Sequence, residues 1–161
     1  LNGNFWEYGG VSSGIAAQND LWKYDPLIQQ WTWMHGTNTP NDPGSFGTLG
    51  VPSPANRPPG KGWCAGTWTD LNNNLWLFGG ANGSRWSDMW KYDITTNEWT
   101  WMNGPNFGGA PGVYGTQGVS DPANYPPARD EVACTWTDNN GDLWLFGDRA
   151  NGVGEYNELC P

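Results

Sequence analysis

One stretch of this chain recurs at an offset of 68 residues, and that self-similarity limits the fold more than any other feature. Residues 19–36 read NDLWKYDPLIQQWTWMHG and residues 87–104 read SDMWKYDITTNEWTWMNG, identical at ten of 18 positions. Residues 44–70 and 112–138 agree at 15 of 27 positions. A shorter element occurs three times, as NFWEYGG at 4–10, NLWLFGG at 74–80 and DLWLFGD at 142–148. Such a chain folds as like units packed on one another, because no single unit buries its apolar face alone.

Within a unit the signals are those of short strands. Trp63 to Asp70 is rich in β-formers, LNNN makes a turn, and Leu75 to Phe78 follows. The matching turn one unit later contains Asn140-Gly141, a pair that tolerates positive φ. After Gly79-Gly80 and a polar loop come strands over Met89 to Asp93 and Glu98 to Met102. Period-two alternation sets Trp90 and Tyr92 on one face of their strand, and Trp99 and Trp101 on one face of the next. The 13 Trp, 24 Gly and 13 Pro suit many short strands and turns, and no stretch keeps a helical apolar spacing beyond two turns. Disorder is excluded by the density of aromatics. The expected fold class is all-β, with four antiparallel strands per repeat.

A Gly-Gly pair after the second strand, a Trp-x-Tyr-Asp third strand and a Trp opening the fourth resemble the Kelch repeat. The pattern is met by Gly79, Gly80, Trp90, Tyr92, Asp93 and Trp99, and again by Gly9, Gly10, Trp22, Tyr24, Asp25 and Trp31. The resemblance covers nearly the whole chain. It implies a β-propeller, similar to the central domain of galactose oxidase, with a closed ring of about six or seven blades. The unit departs from the family in length, about 68 residues against roughly 50. The excess lies in Pro/Gly-rich inserts at 37–62 and 105–130. Long-insert repeats of this kind resemble those of secreted bacterial proteins.

On that pattern residues 1–36 supply the last three strands of one blade, 63–104 a full blade and 131–161 an incomplete one. About two and a half blades cannot close, since a ring needs at least about four. The residues from Leu1 already read as the inside of a folded unit, with no leader before them. The chain is therefore expected to be part of a larger propeller. Copies that form a ring, or that stack into a fibre, are the alternatives.

The formal charge of −9 opposes a phosphate backbone, so nucleic acid is not an expected partner. No run of 18 apolar residues spans a membrane. Low Lys with abundant Asn, Thr, Gly and Trp points to an extracellular or cell-surface setting. Galactose oxidase carries copper, but the single histidine here, His35, follows a strand where the sister unit has Asn103, and it reads as a solvated loop residue. No metal, cofactor or catalytic residue is expected, and the chain does not read as an enzyme. Cys64 and Cys134 fall on one side of the first strand and are expected to be small buried groups, while Cys160 takes the place of Trp90. DNNGD at 138–142 carries alternating oxygens but sits where a hairpin turn is required, and has too few ligands for a calcium loop.

Function is expected on a surface. The inserts and the loops between second and third strands share one face, displaying Phe46, Trp86, Phe107, Tyr114, Asn82 and Arg149. Aromatics beside amides suit stacking on sugar or gripping peptide. Phe46 and Tyr114 align with each other, so they equally suit pinning each insert down. Asn82-Gly83-Ser84 is a glycosylation sequon. The expected role is a non-catalytic extracellular binding or scaffold module that engages protein or glycan. The alternatives are a fibre subunit, or a propeller domain of a secreted carbohydrate-active or oxidoreductase enzyme with its active site elsewhere.

Overall fold

The computed structural model describes residues 3–12, 14, 16–63, 65–131, 134–147 and 149–150. Every regular element among them is a strand, and every pairing is antiparallel. Cys64, Cys160 and the segment 156–160 lie outside the described residues.

The centre is a four-stranded meander of β6 (Gly66–Thr69), β7 (Leu75–Phe78), β8 (Met89–Asp93) and β9 (Glu98–Asn103), paired in that order. β6 is shorter than the run expected from Trp63, because Trp63 instead bridges Ala81 outside the sheet. Cross-strand partners share a face. The pairs Leu75↔Tyr92, Leu77↔Trp90, Tyr92↔Trp99 and Trp90↔Trp101 therefore line one side of this sheet, and Trp68↔Trp76 the other.

Before it stands a three-stranded sheet of β1 (Phe5–Tyr8), β4 (Leu21–Asp25) and β5 (Gln30–His35). The intervening loop carries the small hairpin of β2 (Val11–Ser12) and β3 (Ala16–Ala17). After the centre come β11 (Cys134–Thr137) and β12 (Leu143–Phe146), paired as a hairpin. The two-residue strands β10 (Arg129–Asp130) and β13 (Arg149–Ala150) pair separately. The repeat is legible in detail: a register shift falls between Leu21 and Trp22 in one sheet and between Met89 and Trp90 in the next. The Gly79-Gly80 pair has positive φ at both residues, and a Cβ on Gly79 would stand 2.8 Å from the Arg129 carbonyl oxygen.

The sheets pack face to face. From the first, Trp6 meets Tyr92 edge-on at 6.0 Å and Tyr8 meets Trp99 at 5.6 Å. Leu21, Leu77, Trp90, Tyr92 and Trp99 form the buried core there. Toward the third sheet, Trp68 Nε1 donates to the Trp144 carbonyl at 2.8 Å, and the hydroxyls of Thr135 and Thr137 donate to the carbonyls of Thr67 and Thr69 at 2.9 Å each.

The inserts are anchored segments rather than free loops. The Tyr8 hydroxyl donates to the carbonyls of Pro58 and Pro59 at 3.1 Å, and burial raises its pKa well above the usual phenol value, with Asp88 adding to the effect. Asn19 Nδ2 reaches Pro58 O at 3.3 Å, and its sister residue Ser87 donates in the same way to Pro126 O. Arg57 pairs with Asp42 at 3.2 Å inside the first insert. The Asp42 carboxyl is pushed up by burial, but hydrogen bonds from Gly44, Thr37 and Arg57 outweigh this and hold it below its ordinary value.

Candidate functional site

The residues singled out from sequence do not converge on one site. Trp86 is half-buried and already engaged: its Nε1 donates to Asn82 Oδ1 at 2.8 Å, and Lys61 Nζ lies 4.7 Å from its ring centroid. Phe46 is not displayed on the loop face. It packs on Trp86 at 6.2 Å, on Trp90 at 5.0 Å and edge-on against Trp101 at 5.2 Å. Three indoles form a slot at the end of the central sheet, and burying the phenyl ring there removes more apolar surface from water than leaving it exposed. Tyr114, its counterpart in the second insert, is 76% exposed, and Phe107 is also exposed. Arg149 lies in β13, and its side chain falls outside the description.

Two further expectations need correction. His35 is not a solvated loop residue: it closes β5, is half-buried, and sits edge-on to Tyr92 at 6.1 Å. Its Nδ1 accepts the Gly36 N–H at 2.8 Å, and burial lowers its pKa from the ordinary histidine value. Cys134 is exposed rather than buried, because its side of β11 has no sheet packed on it among the described residues. In the 138–142 turn the Asp138 carboxylate is occupied by the protein. Oδ1 accepts the N–H groups of Asn140 and Asp142, and Oδ2 accepts Trp144 Nε1 at 3.0 Å. The hydrogen bond from Trp144 chiefly lowers its pKa.

What the structure brings together instead is aromatic surface at both ends of the stack. On the first sheet Phe5, Trp22, Tyr24, Trp31 and Trp33 share the side facing away from the centre, with Trp31 and Trp33 each 48% exposed. Trp22 and Trp33 stack on each other at 6.2 Å. On the third sheet Trp136, Trp144 and Phe146 share the outward side, and the two indoles lie parallel 5.7 Å apart. The repeat identifies both surfaces. Trp22, Tyr24, Trp31 and Trp33 correspond to Trp90, Tyr92, Trp99 and Trp101, of which Tyr92 and Trp99 meet the first sheet while Trp90 and Trp101 hold Phe46 of the first insert. Trp136, Trp144 and Phe146 correspond to Trp68, Trp76 and Phe78, on the side of the central sheet that meets the third. Alternation in the sequence set Trp90 with Tyr92 and Trp99 with Trp101, and it does not say which copies of these faces are covered. A cleft of about 340 Å³ also opens between β1 and the β6–β7 pair, lined by Trp6, Tyr8, Thr67 and Thr69.

No protein-family model and no curated protein matches the chain. Among the described residues no cluster of His, Cys, Asp and Glu has the makings of a metal site, and no helix is long and apolar enough to cross a membrane.

Proposed function

We propose that this chain is a non-catalytic extracellular scaffold module whose sheets are blades of a Kelch-type β-propeller. Its working surfaces are the two open aromatic faces, and the partner they take is protein in the form of further sheets of the same kind. The observation that carries this reading is the correspondence between the open faces and the covered ones. The outward side of the first sheet repeats the side of the central sheet that is packed against Trp6 and Tyr8. Exposed apolar surface of this extent, with strand edges beside it, marks an interaction site.

A glycan ligand on Trp86 has less support, because Lys61 and Phe46 lie against that ring and Asn82 takes its indole N–H. The acidic, Lys-poor composition supports the extracellular assignment.

The test is to lengthen the stack. A further copy of residues 37–104 inserted after Gly104 adds one unit in register. If like sheets cover one another, the longer protein unfolds in a single transition at a higher temperature. An unchanged Tm, or a separate transition for the added unit, refutes stacking as the organising interaction.

A further inference from the structure

The first insert is more than a connection. Its middle meets β9, an edge strand of the central sheet, through one isolated bridge and two backbone hydrogen bonds. Gly50 N donates to Trp101 O at 2.8 Å, and Ser53 N approaches Trp99 O at 3.4 Å. The buried amide of Asn56 clamps this contact, with Nδ2 donating to Val51 O at 2.9 Å and Trp99 O at 3.1 Å. Phe46 fills the slot between Trp90 and Trp101. One segment thus satisfies an edge strand and plugs an aromatic slot together.

The second insert carries the same device in the same shape. Val113 and Tyr125 form the bridge that Ser45 and Arg57 form in the first. The turn bonds also recur: Val119 N to Thr116 O at 3.0 Å, as Val51 N to Thr48 O, and Asn124 N to Asp121 O at 3.0 Å, as Asn56 N to Ser53 O at 3.1 Å. Tyr114, Gly118 and Asn124 stand where Phe46, Gly50 and Asn56 stand in the first insert. Yet Tyr114 is largely exposed, and among the described residues Asn124 Nδ2 makes only the internal bond, to Val119 O at 3.3 Å. At the other end of the molecule, β4 and β5 repeat β8 and β9 residue for residue at Trp22, Tyr24, Trp31 and Trp33, and β5 is an edge strand. Trp22 and Trp33, which correspond to two of the three walls of the Phe46 slot, are partly exposed and lean on each other, and Gln18 stands where the third wall, Trp86, stands in the central repeat. The second insert presents a formed plug, and the first sheet presents the two matching indoles of a socket.

We propose that two copies of this chain associate head to tail, the second insert of one seating on the β4–β5 edge of the next. Tyr114 enters between Trp22 and Trp33, Asn124 Nδ2 donates to the Trp31 carbonyl, and Gly118 N donates to the Trp33 carbonyl. The inference rests on the stacked-repeat reading above and names its partner as a second copy. Because plug and socket are different surfaces, the contact is heterologous and propagates unless the geometry closes a ring.

The test is sedimentation of the whole chain over a range of concentrations, with Tyr114→Ala and Trp33→Ala variants. The unaltered chain should form dimers and larger species. Each variant alone should associate more weakly by about tenfold or more, as truncation of an aromatic anchor does. Mixed one to one, the variants should pair and stop at two, since the Tyr114→Ala chain keeps its socket and the Trp33→Ala chain keeps its plug. Tyr114→Phe should associate like the unaltered chain, since phenylalanine fills the equivalent slot in the first repeat. A chain that stays monomeric at every concentration overturns the second-copy inference, and the lengthened-stack experiment then decides the stacking reading by itself. Association that Tyr114→Ala leaves undiminished also overturns the inference, and attributes self-assembly to the open sheet faces instead.

Discussion

Replacing Lys61 with methionine should be among the most damaging single changes in this protein. Lys61 Nζ donates to Asp88 Oδ1 at 2.7 Å, and the side chains are 3% and 0% exposed. Asp88 Oδ2 accepts the Trp90 indole N–H at 2.8 Å, so the ion pair is wired into the aromatic core. Burial lowers the Lys61 pKa from its ordinary value, and the attraction and hydrogen bond of Asp88 work against this. Methionine matches the length of the lysine stem but leaves the Asp88 charge buried and unpaired, which costs about 3–5 kcal/mol. At about 2–4 °C per kcal/mol for a chain of this size, the Tm should fall by roughly 6–20 °C. Adding Asp88→Asn to Lys61→Met removes the orphaned charge and keeps an oxygen for Trp90. The double variant should then cost less than the sum of the single variants by about 2 kcal/mol or more. Urea unfolding followed by tryptophan fluorescence gives the full cycle. Additive effects, or a Lys61→Met loss below about 1 kcal/mol, would refute the argument that the buried pair acts as a unit.

Three further outcomes follow from the same packing. Phe46→Ala empties a slot between three indoles and should cost about 2 kcal/mol, roughly half the penalty of a fully buried ring, while Tyr114→Ala should stay within about 0.5 kcal/mol in the monomer. Thermal unfolding of the pair checks this, and equal losses would mean that the slot does not hold the insert. Asn56→Ala should cost about 1–3 kcal/mol by removing the donor to the Val51 carbonyl and leaving the Trp99 carbonyl only the long contact from Ser53 N, with the first insert becoming more open to proteolysis than the second. The lowered His35 pKa means that the folded chain binds protons less readily than the unfolded chain. Its contribution is present above the ordinary histidine pKa of about 6.5 and is lost as pH falls through the folded value. This is the chain's one histidine, so His35→Asn should flatten the slope of Tm against pH in that window, and an unchanged slope would assign the dependence to other groups.

Strand identity was legible from the chain because the signals are local. The runs LWLF and MWKYD form strands with the expected bounds, since β-formers bracketed by Asn- and Gly-rich turns leave few other conformations. The alternation that set Trp90 with Tyr92 and Trp99 with Trp101 also survives in the sheet, where those four share a face. The misplacements were at tertiary contacts. Phe46 and Tyr114 occupy equivalent positions in near-identical sequence, yet one is enclosed by indoles and the other exposed. His35 and Cys134 went the opposite ways, one into an interface and one out of it.

By itself the sequence determined the repeat, the all-β class and the alternation of each strand, because backbone stereochemistry and side-chain periodicity act over a few residues. Only the tertiary structure decided which copy of each aromatic is covered. Burial depends on whether another sheet or insert stands opposite, and a repeated sequence carries the same residue into both situations. The first and third sheets differ from the central one in their neighbours more than in their own residues.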